Sequence, residues 1–137
     1  MKRLILLSVF LAGFVTLRAQ NKEYKVVFDI TSQDTTRHQA ALRHASGMAT
    51  SYPGSEVELV VFGGAINMVV KDKSTVAKTV QDATAIKGLK IKVCAVTMKR
   101  YNIDKSMLIP GVEIVPDAIV EIITKQGEGW GYIKEAN

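Results

Sequence analysis

Beyond residue 23, short runs of β-branched and apolar residues alternate with longer stretches whose apolar positions recur every three or four residues. The short runs read as strands, because branched and aromatic side chains fit a pleated, buried surface. They are Tyr24 to Ile30, Glu56 to Phe62, Leu89 to Cys94, Val112 to Val115 and Trp130 to Ile133. The segment Leu59-Val60-Val61-Phe62 is continuously apolar, as expected of a strand covered on both faces. The longer stretches read as helices. After a polar loop over residues 31–36, Asp34 or Thr35 can cap a helix that runs to about Tyr52, with Ala41, Leu42, Ala45, Met48, Ala49 and Tyr52 on its apolar face. Pro53-Gly54 ends it. Lys73 to Ile86 predicts a second helix, with Val76, Ala77, Val80, Ala83 and Ile86 inward and Gly88 at its end. A third spans Ala95 to about Asn102. In a fourth, Pro116 occupies the first turn, Ala118, Ile119, Ile122, Ile123 and Gln126 share the inner side, and Gly127 stops it. Residues 65–70 fit either a short helix or a buried loop.

Strands alternating with helices predict an α/β fold: one mostly parallel five-stranded sheet with helices on both faces and right-handed crossovers. Ligand sites in such sheets open at the carboxyl ends of the strands, near the point where strand order reverses. Here those ends are residues 31–36, 63–67 and 94–96.

Residues 1–19 have a different character. Lys2 and Arg3 precede an almost unbroken apolar run from Leu4 to Val15, and Ala19 offers a small residue at a cleavage point. This is the layout of a cleaved export signal. The run is shorter than the ~20 residues a spanning helix needs. The expectation is a periplasmic or secreted domain over residues 20–137, not inserted in the membrane after cleavage. Without Lys2, Arg3 and Arg18, the formal charge falls from +5 to +2. The remaining Lys and Arg are scattered, so nucleic acid is not an expected partner. About 118 residues can bury a core without disulfides or metals. The apolar residues Ile66, Met68, Val69 and Val70 exceed the apparent needs of so small a core, and an exposed apolar patch of that kind marks an interface, so a homo-oligomer is expected.

The candidate chemistry centres on Cys94, the one cysteine of the chain. It falls at the end of a strand and the start of a helix, where free N–H groups and the helix dipole favour a thiolate. It can equally be a buried small hydrophobe, or a site of intermolecular pairing. Asp29, Thr31, Ser32, Gly63, Gly64 and Asn67 fall at strand ends that can line the same cleft, although Asp29 can equally anchor its loop. His38 and His44, six apart, point to different faces and are expected to be solvated or capping, so no metal site is expected. Gly127-Glu128-Gly129-Trp130-Gly131 has dinucleotide-like glycines, but it follows a helix and opens a strand, the reverse of what that fingerprint requires. No phosphate-binding loop is present, and no cofactor is expected. Trp130 and Tyr132 are candidates for core or subunit contacts.

Leu89 to Arg100 (LKIKVCAVTMKR) resembles the strand–Cys–helix segment of DsrE-like proteins. The tail is similar too, from Pro110-Gly111-Val112-Glu113-Ile114-Val115-Pro116 through Glu121-Ile122 and Gln126 to Gly129-Trp130-Gly131-Tyr132-Ile133, and so is Val60-Val61-Phe62-Gly63-Gly64. The similarity covers Tyr24 to Lys134. It implies a flavodoxin-like three-layer sandwich, assembly into trimers or hexamers, and sulfur handling in which Cys94 carries a persulfide between a donor and an acceptor. One position departs: many relatives carry a histidine where this chain has Phe62. The alternative reading is a non-enzymatic, oligomeric small-ligand-binding module with Cys94 packed in its wall. A third is redox sensing through a disulfide between subunits.

Overall fold

The computed structural model describes residues 22–135. Five strands form one sheet, β1 (Lys25–Ile30), β2 (Glu56–Val61), β3 (Leu89–Cys94), β4 (Glu113–Val115) and β5 (Gly131–Lys134), in the order β4-β3-β2-β1-β5. Every pairing is parallel, so the sheet is wholly parallel rather than mostly so. The export signal expected over residues 1–19 lies outside the described residues.

The helices divide between the two faces. Val26, Phe28, Ile30, Val57, Leu59, Val61, Leu89, Ile91 and Val93 alternate along β1, β2 and β3 toward one face, which holds the main core. That face is covered by α1 (Thr35–Ser51), α2 (Ala77–Thr84), α3 (Ala95–Arg100) and a 3₁₀ helix over Gly63–Val69. Asp34 caps α1, its carboxylate accepting the Thr36 N–H. The opposite face carries α4 (Ala118–Gly127) over a smaller cluster of Val27, Val60, Cys94, Ala118, Ile122 and Trp130. Chain direction explains this division. From β1 to β4 each crossover steps one way along the sheet, and the last, from β4 to β5, steps back. With a common crossover hand, that reversal puts α4 on the other face.

Gly88 makes a tight join between α2 and β3. It has φ +85°, and a Cβ there would collide with the Ser55 carbonyl, so only glycine fits.

Several local expectations change. α2 begins at Ala77, not Lys73, because Ser74 closes a turn: its hydroxyl donates to the Met68 carbonyl (2.6 Å) and accepts the Val76 N–H. Pro116 lies outside α4, which Asp117 caps by accepting the Ile119 and Val120 N–H groups. Ile66, Met68, Val69 and Val70 are buried in the main core, so they offer no interface. β5 begins one residue later than expected, and Trp130 packs beneath α4.

The inner side of α4 is the largest correction. Ala118 and Ile122 face the sheet, joined by Glu121 and Lys125 at helical spacing, while Ile119, Val120 and Ile123 are 62%, 59% and 65% exposed and Gln126 also faces out. The sheet beneath presents the charged Glu58 and Lys92 instead of a purely apolar floor, so the helix turns its charged positions inward to meet them.

Candidate functional site

In a parallel sheet the crevice forms where adjacent strands send their connections to opposite faces. Here that place lies between β3, which leads into α3, and β4, which leads into α4. Cys94 pairs in register with Val115 at the carboxyl ends of these two strands. A cleft of about 300 Å³ opens beside Cys94, past the carboxyl ends of β1, β2 and β3, lined by Thr31, Phe62, Gly63, Cys94, Val96 and Thr97 together with Arg100, Asp117 and Ile119. A larger cavity of about 550 Å³ lies at the amino ends of β2 and β3, around Pro53, Glu56, Ile86 and Gly88, away from the thiol.

Cys94 is 4% exposed and is the N-cap residue of α3. The extended backbone at Cys94 turns the chain from strand into helix. Its Sγ accepts the Ala118 N–H, the first of α4, at 3.3 Å. The next two N–H groups of α4 go to Asp117, so the one reaching the sulfur is the free donor of that end. A sulfur so placed faces a hydrogen-bond donor and the positive end of a ten-residue helix, which suits it to negative charge. Thr97 accepts the Gly63 N–H at 3.1 Å and ties the β2 exit to α3. Arg100 makes no ion pair among the described residues and supplies the cleft's cation. Phe62 and Val96 supply its apolar wall.

Of the other positions singled out in the sequence, Thr31 and Gly63 line this cleft beside Cys94. Asp29 does not. It is buried on β1 beside β5, where it accepts the Tyr132 hydroxyl at 3.1 Å and lies 3.6 Å from Lys134 Nζ. That contact with Asp29, together with burial, raises the Tyr132 phenol above its usual range, burial being the larger cause. Ser32 accepts the Asp34 N–H and serves the entry to α1. Gly64 permits close approach: a Cβ there would stand 2.9 Å from the Thr31 carbonyl. Asn67 is exposed on the 3₁₀ helix and does not line the cleft. His38, expected to be solvated or capping, is buried on the inner stripe of α1 and donates to the Ser32 carbonyl at 2.8 Å. His44 pairs with Glu135 at 2.9 Å. Among the described residues no cluster of three metal-ligating side chains occurs, and no helix is long and apolar enough to cross a membrane.

One constellation was not foreseen. Lys92 is buried, with Nζ 2.7 Å from Glu58 Oε1 and 2.6 Å from Glu121 Oε1. Lys125 stands 3.7 Å from Glu58 and 3.3 Å from Glu128, and its ammonium lies 4.6 Å over the Trp130 ring. Burial pushes the Glu58 carboxyl above its usual range, against the pull of Lys92. Burial also works against the charge on Lys92 and Glu121, but their mutual hydrogen bond and the contact each makes with Glu58 prevail, holding Lys92 above and Glu121 below their usual values. The sequence alone does not bring them together: a glutamate in one strand and a lysine in another point to the same face only once β2 and β3 are paired.

Fold and site together describe a wholly parallel α/β protein with a cysteine at the reversal point of its sheet. The DsrE/DsrF-like family profile matches residues 25–134, and the chain belongs to that family. Among solved structures, it resembles the protein of unknown function MTH1491 from Methanobacterium thermoautotrophicum at 26% identity and TM-score 0.76, over 82% of this chain and 99% of that one. The ychN protein from E. coli is similar in fold at 16% identity and TM-score 0.68, over 82% and 99%. So is BT1422 of Bacteroides thetaiotaomicron, a conserved protein of unknown function, at 12% identity and TM-score 0.61, over 80% and 93%. No curated protein matches.

Proposed function

We propose that this protein is a sulfur carrier in which Cys94 holds a persulfide. The observation that carries this reading is Cys94 lining the cleft at the carboxyl ends of the strands, with its Sγ accepting the Ala118 N–H. Membership of the DsrE/DsrF-like family, which suggests sulfur transfer, supports it. The Cys94 thiolate attacks the outer sulfur of a sulfane donor, such as a low-molecular-weight or protein persulfide. The donor's S–S bond breaks, its thiolate leaves, and a new S–S bond forms on Cys94 with no net oxidation. An acceptor thiolate then takes the outer sulfur and releases the Cys94 thiolate. The nearby cation Arg100 and the apolar walls favour small anionic donors. Intact-mass analysis after exposure to a donor persulfide tests this: one added sulfur is expected on the wild-type chain and none on Cys94→Ser. Equal uptake by both would sink the proposal.

A second reading, a small-ligand-binding module with Cys94 as packing, draws on the burial of Cys94 among Val27, Val60, Ala118 and Ile122. Thiol titration of the native protein separates the two. A thiol silent until denaturant is added favours packing.

We also propose that the domain is exported and works as a homo-oligomer. The pattern of residues 1–19 supports export, and mass analysis of the chain from fractionated cells tests it: a periplasmic or extracellular chain lacking those residues is expected. The exposed stripe of Ile119, Val120 and Ile123 supports assembly.

A further inference from the structure

The buried charges beneath α4 lie outside the cleft, yet they share two elements with the thiol. β3 contributes both Lys92 and Cys94, two residues apart and therefore on one face of the strand. α4 contributes both Glu121 and Ala118, three residues apart and therefore on one side of the helix. Lys92 meets Glu121, and Cys94 meets Ala118. The two contacts are parallel rungs between an antiparallel strand and helix. Their spacing agrees: two strand residues span about 6.6 Å, three helical residues about 4.5 Å, and the long Lys92 side chain takes up the difference. The apolar packing of this helix on the sheet is small: Ala118 and Ile122 are its buried apolar residues, and Ile119, Val120 and Ile123 face away.

We infer that Lys92 and Glu121 are positioning residues for Cys94: their ion pair seats the first turn of α4 so that the Ala118 N–H stays on the sulfur. Glu58 holds the other side of Lys92 and fixes its ammonium against the sheet, and Lys125 engages the same carboxylate one turn further along α4. Removing this seat lets the helix end drift and takes a donor from the thiolate, and from the persulfide anion that would follow it. The inference rests on Cys94 being the working thiol. Its test reads the thiol without any sulfur transfer.

The test is the pH profile of Cys94 alkylation in the folded full chain. The plateau of that profile reports access, and its midpoint reports how well the thiolate is stabilised. Glu121→Gln is the informative variant, because the two explanations differ in sign. Deleting an anion that acts only through its charge moves the midpoint down. Loss of the seated N–H moves it up. The expected result is an upward shift of at least about 0.5 unit in Glu121→Gln, with Lys92→Arg close to wild type. Lys25→Met breaks an exposed pair with Glu56 at the amino ends of β1 and β2, the opposite end of the sheet from Cys94, and should leave the midpoint in place. A midpoint that is unchanged or lowered in natively folded Glu121→Gln overturns the inference. A Lys25→Met shift as large as that of Glu121→Gln does the same. If Glu121→Gln lacks the native circular dichroism spectrum, Glu121→Asp, which keeps the charge but shortens its reach, takes its place: an upward shift is expected, and an unchanged midpoint overturns the inference. Failure of Cys94→Ser to abolish sulfur uptake would remove the carrier reading and leave this result untouched.

Discussion

Lys92 shows how much one side chain can settle. Its ammonium is enclosed by two carboxylates beneath a helix, and Glu58 is more deeply buried still, with Oε2 lacking a hydrogen-bond partner. A buried pair of this kind adds little net stability compared with apolar packing, but removing one partner strands the other. Lys92→Met should therefore cost about 3–5 kcal/mol in urea denaturation, and adding Glu58→Leu should recover most of it. A double variant no more stable than the single one would contradict this account. The pH dependence follows from the same contacts. Lys92 is held above 10.5, so its contribution is complete below that pH and is lost as pH rises through the folded-state value. Glu121 is held below 4.5, so its contribution is present above that pH and is lost as pH falls through its folded-state value. Glu58 runs the other way: burial raises it, so that group adds stability as pH falls. The stability difference between wild type and Lys92→Met should thus shrink above about pH 10.5, which paired denaturation curves at pH 9 and pH 11.5 would reveal.

Among the elements, α4 links fold and site. Its N-cap, Asp117, satisfies two N–H groups and leaves the third for Cys94. Asp117→Ala should lower stability by about 1 kcal/mol in urea denaturation. A loss no larger than a few tenths would mean that the Cys94 contact and the ion pair hold the helix end without its cap. The inner stripe of α1 was legible in the sequence, because Ala41, Leu42, Ala45 and Ala49 keep helical spacing over an apolar surface. In α4 the same rule failed. Apolar residues occupy both sides of this helix, so periodicity offers two inner faces, and the buried charges of neighbouring strands choose between them.

For the whole molecule, one face of the sheet carries a large apolar core under three helices, and the other a small one under a single helix with an apolar outer stripe. The proposed assembly uses that stripe. Light scattering at micromolar concentration should give a mass above the monomer, and Ile123→Lys should reduce it to the monomer while the circular dichroism spectrum stays native. A monomeric wild type would rule out this surface as an interface. The residues first credited with assembly, Ile66 and Met68–Val70, are core because the 3₁₀ helix folds them back over β2.

The sequence by itself was enough for the strands, their order along the chain, the α/β class and the position of Cys94 at a strand-to-helix junction. Each of these depends on local period and on turn residues such as Pro53-Gly54 and Gly88. Which cleft the cysteine enters, which side of α4 is buried, and that Lys92 and Asp29 lie inside were decided only when strands 32 (Val57 to Leu89) and 105 (Val26 to Gly131) residues apart came together. A side chain's solvent and partners belong to its neighbours in space, and those neighbours are set by the pairing of β2 with β3 and of β1 with β5.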